Sequence, residues 1–161
     1  VGHGLAPRLT YGFSLGAEWN GFDFSCLFQG NAGLQVYWQD KFYMGYINYG
    51  DVINKEIAEG AWREGRTNAT YPRLLTGLNT LNAQPSDFWV QNKSYLRLKN
   101  VQIGYKIPKK LLQKLDISQL RLYTSLENML TFTSYKGIDP EISGTTYPTM
   151  KQITVGVNVV F

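Results

Sequence analysis

The chain has 161 residues and a net charge of +4, with 14% aromatic and only 17% charged residues. That is one domain's length, with a composition that leans toward strands and turns. The lone Cys26 excludes an internal disulfide framework and a cysteine-rich zinc site, and the lone His3 removes most metal and triad chemistry. No apolar run approaches the roughly eighteen residues of a transmembrane helix. A transmembrane barrel stays open, because its strands are apolar on one face only.

From Leu9 to Trp19 the odd positions are Leu9, Tyr11, Phe13, Leu15, Ala17 and Trp19, and the even ones are Thr10, Gly12, Ser14, Gly16 and Glu18. That period of two predicts a strand over 9–19. Asn20-Gly21 supplies the two residues of positive φ that a tight hairpin turn needs. Phe22, Phe24, Cys26 and Phe28 alternate with Asp23, Ser25, Leu27 and Gln29, with one mismatch at Leu27, so a second strand is predicted over 22–29. Residues 30–93 keep no long period and read as a loop with a short helical stretch near 52–59. Alternation resumes over 95–107, where Leu96 and Leu98 stand out of phase with Val101, Ile103, Tyr105 and Ile107, which predicts a bulge at Asn100. Pro108 ends that strand and opens a helical turn at its first position. Strands follow over 118–133 and 152–161, separated by a turn-rich loop over 134–151.

Short and long connections therefore alternate, as in an outer-membrane barrel with tight periplasmic turns and longer extracellular loops. The fold class is expected to be all-β: five or so antiparallel strands of a large transmembrane β-barrel. Leu120, Leu122 and Leu126 are expected to face lipid, and Arg121, Tyr123, Ser125 and Glu127 the lumen. Five strands cannot close, and open edges in lipid leave backbone groups unsatisfied at several kcal/mol each. The chain is thus expected to be the C-terminal part of a longer one, an expectation that its first residue, Val1, and the absence of a secretory leader support. The alternative is a soluble all-β carbohydrate- or ligand-binding module, which would dissolve without detergent.

Several stretches, in order, resemble the SusC/RagA-type TonB-linked outer-membrane proteins of Bacteroidetes. They are Ser94 through Pro108 (SYLRLKNVQIGYKIP), Leu120 to Tyr123 leading into Glu127 to Phe132 (ENMLTF), Tyr135 through Glu141 (YKGIDPE), Tyr147-Pro148 and Thr154 through Phe161. Upstream, Pro7 to Gly12, Trp19 to Phe24 and Tyr71 to Leu74 fit the same pattern. The resemblance implies a 22-stranded barrel in the outer membrane of a Gram-negative bacterium, with this chain forming its last strands and the plug domain and Ton box lying outside it. It also implies a SusD-like surface lipoprotein, TonB acting through those absent N-terminal regions, the barrel assembly machinery and membrane lipid as partners. An oligosaccharide or peptide would be the cargo.

In loop 30–93, Trp38, Tyr43, Trp62, Arg63, Arg66 and Trp89 are candidate ligand contacts, since aromatic faces suit sugar C–H surfaces and guanidinium groups direct hydrogen bonds. The same rings equally suit packing of the loop on itself or an interfacial girdle. The last strand, through Val155, Val157, Val159 and Phe161, looks like a barrel-assembly signal that would work by strand addition. Asp139 and Glu141 are too few for a calcium site. Lys106, Lys109, Lys110 and Lys114 read as a solvated turn, with no nucleic-acid partner, because interleaved exposed aromatics are lacking. Glu18, Asp23 and Glu127 show no pairing readable from their spacing, so no catalytic residue, metal or cofactor is expected and the chain is not read as an enzyme.

Overall fold

The structure, a computed structural model, describes residues 6–37, 46–47, 53–76, 84, 86–113, 116–142 and 147–161. It divides into a sheet unit (residues 3–35 and 92–161) and a loop unit (36–91, with residues 1–2).

The sheet unit is built on β1 (Leu9–Trp19), β2 (Phe22–Ala32), β7 (Tyr95–Lys106), β8 (Gln119–Thr133) and β9 (Gln152–Val160). They pair antiparallel, each with the next in sequence, in the order β1-β2-β7-β8-β9. The numbers skip because three short strands, β3 (Gln35–Tyr37), β4 (Tyr46–Ile47) and β5 (Leu75–Thr76), precede β6 (Val90–Asn92) in the intervening chain. At the first hairpin Asn20 and Gly21 have φ of 49° and 86°, the positive values the tight turn requires. Alternation alone ends the second strand near residue 29, but pairing with Leu9 and Tyr95 on its two sides carries β2 on to Ala32 and Asn31. Pro108 stands just before the short helix α2 (Lys109–Leu112) rather than at its first position.

Register gives each face its chemistry. One row runs Leu15, Cys26, Val101, Leu126 and Ile153, and another runs Ala17, Phe24, Ile103, Thr124 and Val155. Most of this face is large, apolar and exposed. The opposite face carries Glu18, Asp23, Gly104, Tyr123 and Gly156 in one row and Ser25, Gln102, Ser125 and Thr154 in another. The register puts Leu120, Leu122 and Leu126 of β8 on the apolar face and Arg121, Tyr123 and Ser125 on the opposite one.

The phase change in β7 has its bulge. Leu27 and Phe28 of β2 oppose Asn100 and Leu98, skipping Lys99. On the other side Leu98 and Asn100 pair with Leu130 and Glu127, and Asn128 there has φ of 55°. One inserted residue moves Leu96 and Leu98 onto the apolar face together with Val101 and Ile103. Asn100 Nδ2 donates to Ser125 Oγ (2.9 Å) on the polar face.

In the loop unit, α1 (Lys55–Gly60) is capped by Asn54, whose side chain accepts from the Glu56 N–H, and it buries Ile57. Ala61 and Tyr71 then bridge in parallel, and the Trp62 N–H donates to the Tyr71 carbonyl at 3.0 Å, folding the 61–71 segment back on itself. No helix among the described residues is long and apolar enough to cross a membrane.

Candidate functional site

The polar face holds two ionic clusters. At the short-turn end, Arg121 Nε donates to Asp23 Oδ2 at 2.8 Å and its Nη2 to Asp23 Oδ1 and to Gln102 Oε1 at 3.2 Å. The donor lies on β8 and the acceptor on β2, so the pair spans the intervening β7. Gly104 permits this, because a Cβ there would lie 2.5 Å from Arg121 Nη2 and 2.6 Å from Asp23 Oδ1. The guanidinium also stands 5.2 Å from the Tyr123 ring centre. Lys106 pairs with Glu18 nearby at 3.3 Å, an exposed contact of small energetic weight.

At the long-loop end the segment between β8 and β9 is fastened to the wall. Arg97, on β7, donates through Nη2 to Asp139 Oδ1 at 2.8 Å, through Nη1 to Glu141 Oε2, and through Nε to Thr131 Oγ1 at 2.8 Å. Lys99 reaches Glu141 Oε1 at 2.7 Å, and Tyr95 Oη donates to the same carboxylate at 2.8 Å. Arg97 and Asp139 are each only 4% exposed. A buried charge of this kind needs every partner it has, so removing one side typically costs about 3–5 kcal/mol. Burial works to raise the Asp139 pKa, but the N–H of Glu141, the Arg97 guanidinium and Thr149 outweigh it and hold the carboxyl below the usual range. Burial pulls the Lys93 ammonium below the usual lysine range, with the charge of Asp139 opposing. Lys93 donates to the Ile142 carbonyl and lies 5.5 Å from the Tyr135 ring centre. The two carboxylates considered for calcium thus face Arg97 and Lys99.

The loop unit contains a cleft of about 500 Å³ lined by Ala58, Ala61, Trp62, Arg63, Glu64, Arg73 and Leu74. The Trp62 side chain is 46% exposed, and the Arg73 guanidinium stands 5.9 Å from its ring centre. Of the candidate contacts, Trp62 and Arg63 come together in this cleft. Arg66 turns elsewhere and donates to the Glu59 carbonyl. Trp89 is 3% exposed, with its ring edge-on to Phe88 at 4.7 Å. Trp38, Tyr43 and, in the other unit, Lys114 lie outside the described residues. Arg73 is the residue sequence reasoning missed: it is 11 positions from Trp62, and only the 61–71 fold-back brings the two together. In β9, Val155 and Val157 lie on the apolar face opposite Thr124 and Leu122, Val159 opposes Leu120, and Phe161 follows the strand at 85% exposure.

A five-stranded antiparallel wall with one exposed apolar face, a polar face crossed by ion pairs, and short turns at one end against long loops at the other is a piece of a membrane β-barrel. No family model matches the chain. TonB-dependent receptor P3 of Formosa agariphila is 31% identical over 96% of the chain, and TonB-dependent receptor SusC of Bacteroides thetaiotaomicron is 25% identical over 97%. A solved structure of the RagAB peptide transporter superimposes with a TM-score of 0.78 over 99% of the chain at 29% identity. The chain belongs to the SusC-like TonB-dependent receptors. It spans 16% and 15% of the lengths of the two receptors and 18% of the RagAB chain. These relatives are named as receptors and transporters, none as an enzyme.

Proposed function

We propose that this chain is wall and extracellular loop of an outer-membrane, TonB-dependent nutrient importer, and that the whole protein closes a 22-stranded barrel of which these are the last strands. The observation that carries this is the two-faced sheet. An exposed apolar side belongs in lipid, and a polar side whose charges pair across strands belongs in a lumen. The outer edges of β1 and β9 have no paired strand among the described residues, and further strands would satisfy them as lipid demands. In this reading the cargo is an oligosaccharide or a peptide, a SusD-like surface lipoprotein captures it, and TonB acts through a plug and Ton box carried elsewhere in the protein. The RagAB relative, a peptide transporter, supports import as the activity. The apolar series Val155, Val157, Val159 and Phe161 would present the edge that the assembly machinery extends.

The test is the mass of the native polypeptide carrying this sequence, taken from an outer-membrane fraction. A heat-modifiable band several times heavier than 18.3 kDa is expected. A detergent-free soluble species of 18.3 kDa would overturn the barrel in favour of a soluble binding module.

A further inference from the structure

The loop cleft differs from the ionic clusters of the wall in one respect. Arg97, Lys99 and Arg121 all spend their charge on carboxylates of the chain itself. Arg63 and Arg73 line the cleft with no carboxylate partner among the described residues, and the only acid beside them, Glu64, makes no ion pair with either. Trp62 lines the same cleft, nearly half exposed, together with the small residues Ala58 and Ala61. A small-residue wall beside a flat ring leaves space for another flat apolar surface, and unpaired guanidinium groups select planar anions, which they bind through paired hydrogen bonds. Recognition of a peptide backbone by strand addition would need an exposed strand edge. The cleft is lined instead by residues of α1 (Ala58), the 61–64 segment and the 73–74 segment.

We infer that this cleft is a binding site for an anionic saccharide, one sugar face lying on Trp62 and a carboxylate or sulfate group on Arg63 and Arg73. This rests on the importer reading and names a substrate class for it. Carboxylates of uronic acids and sulfate esters share the chemistry the site selects.

The experiment uses the full-length receptor purified in detergent and titrated calorimetrically with four probes: a tetrasaccharide of uronic acids, a sulfated tetrasaccharide, a neutral tetrasaccharide and tetraglutamate. One or both anionic sugars are expected to bind at least about tenfold more tightly than the neutral one, and which of the two does so identifies the source of the anion. Trp62→Ala and the paired change Arg63→Met with Arg73→Met are each expected to remove about tenfold or more of that affinity. Glu64→Gln is expected to strengthen it, because it removes the one like charge at the site. Equal affinity for neutral and anionic sugars, or no response to the Trp62 and arginine variants, overturns the inference. So does tighter binding of tetraglutamate, which would make the site a peptide site. These failures are separable from failure of the importer reading, since a receptor that still runs as a heat-modifiable outer-membrane barrel keeps its function whatever this cleft binds.

Discussion

Arg121 lies across Gly104 to reach Asp23, two strands away. The pair joins three strands through one guanidinium, and its existence depends on the missing side chain beneath it. Gly104→Val should therefore act on two residues it does not replace. In a double-mutant cycle, Asp23→Asn and Arg121→Gln are expected to couple by about 0.5–3 kcal/mol in the parent receptor and by almost nothing in the Gly104→Val background. Urea unfolding of the full-length protein in vesicles measures both. Coupling that survives Gly104→Val would show that the two side chains do not need the gap.

The apolar face predicts a gradient of cost. Leu126 lies mid-strand among Val101 and Ile153, while Leu122 sits nearer the short turns between Tyr105 and Val157. Leu126→Arg is expected to cost about 2–4 kcal/mol, and Leu122→Arg less, since the penalty declines toward the interface. Tyr123→Arg, on the polar face, should change stability far less than either. A large loss for Tyr123→Arg with none for Leu126→Arg would reverse the facing of β8, and the same unfolding assay decides it.

The Arg97 cluster fastens a loop rather than a strand pair. Arg97→Met leaves the buried Asp139 and the partly buried Glu141 without the guanidinium they share, and a loss of about 3–5 kcal/mol is expected. The loss should be local: amide exchange at Glu141 and Thr149 rises, while that of mid-strand β8 stays slow. Uniformly faster exchange through the sheet would mean that the cluster supports the wall itself.

Acid should open the same attachment. The folded-state pKa of Asp139 is depressed, so its contribution is whole above the unfolded value near pH 3.9 and disappears as pH falls through the lower folded value. Exchange at the Glu141 and Thr149 amides, both donors to Asp139, taken relative to the intrinsic rate at each pH, is expected to stay flat through mild acid and to rise only below about pH 4. A rise centred near pH 6 would point to some other group. Asp139→Asn should abolish the acid step.

Local periodicity made much of this architecture legible. The alternation of β1 and the Asn20-Gly21 turn needed only neighbours in sequence, and the phase change around Asn100 marked its bulge. The site was less legible for a physical reason. Asp23 and Arg121 are 98 residues apart, Arg97 and Asp139 are 42 apart, and neither pairing leaves a trace in spacing. Trp62 and Arg63 were readable as exposed chemistry, but Arg73 joins them only through the Ala61–Tyr71 bridge. Trp89 has the same sequence character as Trp62 and the opposite environment, which composition alone does not resolve.

The glycine opposite Tyr123 repeats the device seen at Gly104: a Cβ on Gly156 would lie 2.5 Å from Tyr123 Oη, so the ring lies flat over its neighbour strand. Long polar side chains that recline along the sheet project less from its polar face than upright ones would. A face that reads as polar and bulky in sequence thus has a low profile. In the barrel proposed above, the clearance on this side would then be set by where the glycines fall as much as by how many strands close the ring.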